Sequence, residues 1–341
     1  MTDDIPGRHR HGPSRLRNLI RRRQRALTRI LVAVAALITV GAAGLAIGLH
    51  GRGAGNGSLD PLAPPSNAPS PGPGTMLGVY RPGVPGSYAG IQAFTAATGV
   101  RPGVVVYYSG WMEPFQARFA EMAHSHHALP LVQIDPTDVS LTAIASGQYD
   151  LYLRSYAASL KAFGSQVILS FGHEMNGHWY SWAYGHSSPA AFVAAWRHIV
   201  TVFRQQGADN VTWLWTVNII DAKRGILPPA RWWPGGSYVD WVGIDGYYLK
   251  ANWKFASLFG PTIKAVRELT LAPILITETA AVPSAGKPAK IADLFAGVRA
   301  YGLLGFVWFD VNKNHRDWRL TGPAATAAYR RGAKAYQGPA L

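Results

Sequence analysis

From Thr75 almost to the C-terminus, short runs of consecutive apolar residues alternate with longer stretches in which apolar positions recur every three to four residues. The short runs are Met76–Tyr80, Val104–Tyr108, Leu129–Ile134, Gln166–Phe171, Val211–Val217, Val239–Asp245, Pro273–Thr277 and Gly305–Phe309. They are rich in Val, Ile and aromatic residues and largely continuous, the pattern of strands covered on both faces. Glu113–His124, Tyr149–Phe163, Pro189–Gln205, Thr262–Leu269 and Ile291–Tyr301 lie between them and read as amphipathic helices. Eight such units predict an α/β fold, a closed (β/α)8 (TIM) barrel. The fifth unit is atypical, because Asp221–Tyr238 holds three Pro and little helical period. A doubly wound open sheet is the runner-up, but Gly78-Val-Tyr-Arg-Pro82 after the first run is not a glycine-rich phosphate turn. No repeat at a solenoid or propeller period is present.

The pattern changes upstream. Ile30–Gly51 is a run of 22 residues without Asp, Glu, Lys or Arg, about the length that spans a bilayer core. Ten Arg and only two acidic residues, Asp3 and Asp4, fall within residues 1–52, over half of the chain's net charge of +15. Arg before an apolar run stays on the cytoplasmic side, which accounts for the charge without a nucleic-acid partner. Residues 52–74 contain six Pro among Gly, Ser and Ala, an extended unpacked spacer. The expected order is a basic cytoplasmic arm (1–29), a single transmembrane helix (30–51), a linker (52–74) and an extracytoplasmic, monomeric barrel (75–341). A cleaved signal segment, cut near Ala42–Ala46, is the alternative and would make the barrel a secreted protein. The absence of Cys excludes disulfides, thiolate metal sites and cysteine nucleophiles.

Barrel active sites gather at the C-terminal ends of the strands. Those ends carry Tyr80 and Arg81, Trp111 and Glu113, Asp135, His173-Glu174-Met175-Asn176-Gly177, Asn218, Asp245 and Tyr247, Glu278, and Trp308 and Asp310. Glu174 and Glu278 end the fourth and seventh strands and would face one another across one cavity. Two carboxyl groups among Trp and Tyr are equipment for splitting a glycosidic bond, provided one is protonated and the other ionised. A single Glu beside a strand end is more often an ion-pair partner, and Asp245 reads also as a cap or a partner for Arg; it is the two together, with flanking aromatics, that favour catalysis. Trp196, Trp213, Trp215 and Trp241 fall inside elements and are expected in the core. A zinc-peptidase site would need His at i and i+4; His173 and His178 are five apart with Gly177 between. His124, His126 and His127 read as a solvated turn. No metal or other cofactor is expected.

The string from Ile168 to Trp182, with His173-Glu174-Met175-Asn176-Gly177 at its centre, resembles the acid/base signature of glycoside hydrolase family 26, retaining β-mannanases and relatives. Asp245-Gly-Tyr247, Ile274-Leu-Ile-Thr-Glu278, Val307-Trp-Phe-Asp310 and Asp317-Trp-Arg319 are similar to that family's later motifs, so the resemblance covers roughly residues 75–335. It implies that Glu174 is the general acid/base and Glu278 the nucleophile. It further implies that His173 positions the site, Tyr247 orients Glu278, Trp308 floors the subsite of the distorted sugar, and Trp179 and Trp182 line neighbouring subsites. Asn176, Asp245 and Tyr80 complete the expected substrate-binding set. Ser170 stands where many mannanases of the family have Arg, and Ser181 where Pro or an aromatic is common. Both positions touch substrate-facing surroundings, so mixed-linkage β-glucan and β-1,3-xylan stay open beside β-1,4-mannan, the first expectation. Another class of function, a glycan-binding surface protein without catalysis, would have no need of the carboxylate pair.

Overall fold

Each short apolar run becomes a strand. In the computed structural model, which describes residues 76–250, 252–313 and 316–336, these are β1 (Met76–Tyr80), β2 (Val104–Gly110), β3 (Leu129–Asp135), β4 (Val167–Phe171), β5 (Val211–Asn218), β6 (Trp241–Asp245), β7 (Ile274–Thr279) and β8 (Gly305–Phe309). All pair in parallel in chain order, and β8 closes on β1. The strand bounds differ from the sequence expectation by at most two residues. The arm, membrane segment and linker expected over residues 1–74 lie outside the described residues; among the described ones, no helix is long and apolar enough to cross a membrane.

Burial on both faces explains why the strands do not alternate. Val104, Val106, Leu131, Ile168, Leu214, Trp241, Leu275 and Val307 fill the barrel lumen. Their neighbours Val105, Tyr107, Val132, Leu169, Trp213 and Ile276 pack outward under the helices. One step further along the strands the lumen turns polar: Ser170 and Thr216 share a hydrogen bond of 3.1 Å, and Thr277 donates to Asp245 at 2.5 Å. The apolar plug thus closes the floor, and the chemistry sits above it.

The helices are α1 (Ala89–Thr98), α2 (Ala117–Ser125), α3 (Leu141–Ala145), α4 (Asp150–Phe163), α5 (Pro189–Gln205), α6 (Phe255–Leu258), α7 (Gly260–Arg267), α8 (Lys287–Ala300) and α9 (Pro323–Tyr336). Ser188 caps α5 by accepting from the Ala191 N–H, with Pro189 at the first turn. α2 starts at Ala117 rather than Glu113, because the Glu113 carboxylate turns back to accept from the Gly110 N–H at 2.9 Å. α1, α3, α6 and α9 were not expected; α3 and α6 are five and four residues long, too short to show a period, and the buried positions of α9 are mostly Ala. The stretch between β5 and β6 holds three short 3-10 turns, Ala222–Arg224, Pro229–Trp232 and Gly236–Tyr238, instead of an α-helix. A two-stranded hairpin, β9 (Asn312–Lys313) with β10 (Arg316–Asp317), follows β8.

Gly305 opens β8 with φ 155°, and a Cβ there would lie 1.9 Å from the Met76 carbonyl oxygen of β1. Backbone cannot step aside as a side chain can. Gly305→Ala is therefore expected to destabilise the barrel by about 2 kcal/mol or more, seen as a melting temperature lower by roughly 4 °C or more in a thermal unfolding scan.

Candidate active site

The turn after β4 builds one side of the site. Glu174 sits in the left-handed region, φ 55°, with its N–H donating to the Thr216 carbonyl of β5 at 3.0 Å. Asn176 then ties the turn to the end of β5: it accepts from the Asn218 N–H at 2.9 Å and donates to the Asn218 and Leu227 carbonyls at 3.0 and 2.9 Å. So anchored, the Asn218 side chain donates to Glu174 Oε1 at 2.5 Å. The Trp179 indole donates to Glu174 Oε2 at 2.7 Å. Its ring lies on Gly177, where a Cβ would be 2.3 Å from the indole, so the glycine of the motif makes room for the Trp.

Glu278 arrives from β7, displaced by an irregularity in the β6–β7 register that sets it beside Asp245. Tyr247 donates to its Oε2 at 2.5 Å and Tyr108, from β2, donates to its Oε1. Both glutamates are nearly buried, at 7% and 8% exposure. Each of their four oxygens accepts from one neutral donor. A carboxylate oxygen from each of Glu174, Asp245 and Glu278 lies within 4.8 Å of the others. That spacing would admit a cation, but neutral donors already occupy all four glutamate oxygens, and Asp245 has one oxygen left over.

Crowding decides the protonation. Burial and the neighbouring Glu278 charge raise Glu174 to about 7, against the opposing pull of His173 and the Asn218 and Trp179 hydrogen bonds. Burial, Glu278 and Glu174 push Asp245 well above the usual carboxylate range. Burial alone would lower His173, but its contact with Asp135 (Nδ1 to Oδ1, 2.9 Å) raises it to about 9, with Nε2 against the Tyr180 hydroxyl at 3.1 Å. Tyr108 and Tyr247 are raised well above their ordinary value by burial and by Glu278, so both stay neutral donors. The arrangement can hold a proton on Glu174 beside the Glu278 side chain within one small space.

That space is an open cleft of about 230 Å³, lined by Glu174, Trp179, Asn218, Ile219, Arg224, Gly246, Tyr247, Leu249, Glu278, Arg316 and Trp318. Residues 148–284, which include Glu174, Asp245, Tyr247 and Glu278, match the family model Glycosyl hydrolase family 26. The chain belongs to that family. It is 31% identical over 265 residues to Endoglucanase H of Acetivibrio thermocellus, covering 72% of this chain and 29% of that one. It is 25% identical over 177 residues to a β-1,3-xylanase of Vibrio sp., covering 48% and 37% respectively. The chain thus spans well under half the length of these curated relatives. A mannanase of Bacillus subtilis superposes with a TM-score of 0.56 at 15% identity, over 79% of this chain and 86% of that one, which speaks for the fold.

Of the ten residues expected at a family 26 site, Glu174, Trp179, Tyr247 and Glu278 line the cleft. The other six do not. Trp308 is 1% exposed and donates to the Trp318 carbonyl; Trp318 is the ring at the cleft, 4.9 Å from Tyr247. Outward-facing positions of β8 pack under helices, which is why the strand Trp is core and the hairpin Trp is wall. Trp182 is 2% exposed, stacks on Tyr180 at 4.4 Å and donates to the His173 carbonyl, so it braces the turn. Asn176 and His173 are likewise buried braces. Asp245 is wholly buried beneath the glutamates and has no Arg partner. Tyr80 stacks on Phe309 at 4.5 Å and edges against Tyr108, backing the Glu278 donor rather than the cleft. The sequence reading missed Tyr108 as a donor, and it left Asn218 and Trp318 out of the expected set. Tyr108 was legible as the last lumen-facing residue of β2, and Trp318 from the Asp317-Trp-Arg319 string.

Removing the Glu278 charge should free Glu174 to ionise more readily. In Glu278→Gln, a carbon-detected NMR titration of the Glu174 carboxyl is expected to give a pKa below the value near 7, and an unchanged pKa would refute the charge coupling.

Proposed function

We propose that this barrel hydrolyses internal β-linkages of a polysaccharide by double displacement, with β-1,4-mannan as the backbone. The observation that carries the reading is the carboxylate pair: one oxygen of Glu174 and one of Glu278 lie within 4.8 Å, compatible with the about 5–5.5 Å between the carboxyl groups of a retaining pair. In the first step a Glu278 oxygen attacks the anomeric carbon, the glycosidic C–O bond breaks, and the departing oxygen takes the Glu174 proton. In the second, Glu174 accepts a proton from water as it attacks, and the ester bond to Glu278 breaks, releasing sugar of retained configuration. Tyr247 and Tyr108 hold Glu278 in line. Trp179 and Trp318 offer flat apolar faces to sugar rings. The relatives named as an endoglucanase and a β-1,3-xylanase favour β-glucan or β-1,3-xylan as the second reading of the backbone. The apolar run 30–51 behind its Arg cluster supports a single membrane anchor with the barrel outside the cell.

Two variants separate the roles. Glu278→Ala is expected to lose at least about 10⁴-fold in kcat on every substrate. Glu174→Ala should lose about 10²–10⁴-fold on polysaccharide, yet far less in the first step with an aryl glycoside whose leaving group needs no proton. Proton NMR of the first-formed product should show retained anomeric configuration; inversion would overturn the mechanism.

A further inference from the structure

Arg224 and Arg316 line the same cleft as the two glutamates, and neither is used by anything the reaction needs. Arg224 ends the 3-10 turn after β5; Arg316 stands on the hairpin after β8, its guanidinium 5.8 Å from the Trp318 ring. Both side chains are exposed. Among the described residues, no carboxylate forms an ion pair with either. The acids nearby are already committed. Asp310 pairs with Arg81, and Asp317 takes two bonds from Arg319 at 2.8 Å each. Asp221 accepts from the Lys223 N–H at 3.1 Å. The glutamates themselves are served by Asn218, Trp179, Tyr108 and Tyr247.

Charge within the site does not call for two cations either. His173 is matched by Asp135, and the crowded carboxyl cluster relieves its repulsion by keeping protons. Two planar guanidinium forks are left facing the space a sugar chain would enter, from loops three strands apart. A neutral glycan offers them only hydroxyls. A carboxylate or sulfate ester offers a charged, bidentate partner.

We infer that the cleft selects a β-linked polysaccharide bearing anionic groups, with Arg224 and Arg316 as the residues that recognise the anion. This rests on the glycoside hydrolase reading and names the substrate class for it. The anion is either the carboxylate of a uronosyl unit or a sulfate ester, which share the geometry a guanidinium reads.

The test uses the full-length chain and matched polymers: β-mannan and β-glucan, the same polymers partly oxidised at C6 to carboxylates, and their partly sulfated forms. At low salt, kcat/KM is expected to be about tenfold higher on one anionic form than on its neutral parent. High salt should erase most of that preference. In the Arg224→Gln/Arg316→Gln double variant the ratio should fall towards one. Whichever anionic form is preferred identifies the source. Equal or faster cleavage of the neutral polymers overturns the inference, as does a preference that survives the double variant. Calorimetric titration of carboxylated, sulfated and neutral oligosaccharides reads the same preference without turnover. A neutral aryl β-glycoside reports on hydrolysis alone: its cleavage without anion preference sinks only the arginine assignment. No cleavage, with tighter anionic binding that the double variant abolishes, sinks only the hydrolase reading.

Discussion

Three nearly buried carboxyl groups within 4.8 Å of one another cannot all be ionised without cost. Like charges at that spacing cost several kcal/mol when water cannot screen them, so protons stay where the chemistry needs them. The surroundings then decide which group keeps one. Glu278 faces two phenols, Tyr108 and Tyr247, that donate and cannot themselves ionise at neutral pH. Glu174 is held by an amide and an indole and carries the raised affinity for a proton. An Arg bonded to either would have favoured the charged form of both and flattened the difference.

The rest of the upper barrel serves that arrangement. Asn176 makes two bonds that fix Asn218 and a third to the Leu227 carbonyl, and Asn218 in turn holds Glu174. Trp182 holds the His173 carbonyl while Asp135 and Tyr180 grip its ring. Catalytic geometry in a loop is only as good as the packing behind it, and here the loop is braced at both ends by buried side chains.

Most of the scaffold was legible because strands buried on both faces write themselves as apolar runs, and all eight were found. α1, α3, α6 and α9 were not: α3 and α6 are too short to show a period, and α9 buries mostly Ala, which a reading by large apolar residues passes over. The carboxylate pair was legible from strand ends and motif together. The aromatic assignments were less so. Trp308 and Trp182 sit in the strings that carry the resemblance, but the pleat of β8 turns Trp308 outward under the helices, and Trp182 lies in the loop after β4, where no strand period tells its direction. Tyr108 escaped notice because its place on the lumen face of β2 was the one sign it gave, and only closure of the barrel brings that face opposite β7.

The backbone of Glu174 carries a further implication. A side chain at φ 55° is uncomfortable for anything but glycine or asparagine, at a cost on the order of 1 kcal/mol. Glu174 therefore stands at a place where the polypeptide would relax if it were glycine. Replacing Glu174 by glycine would release that cost, so backbone ease and the placement of a carboxyl group pull in opposite directions at this one position.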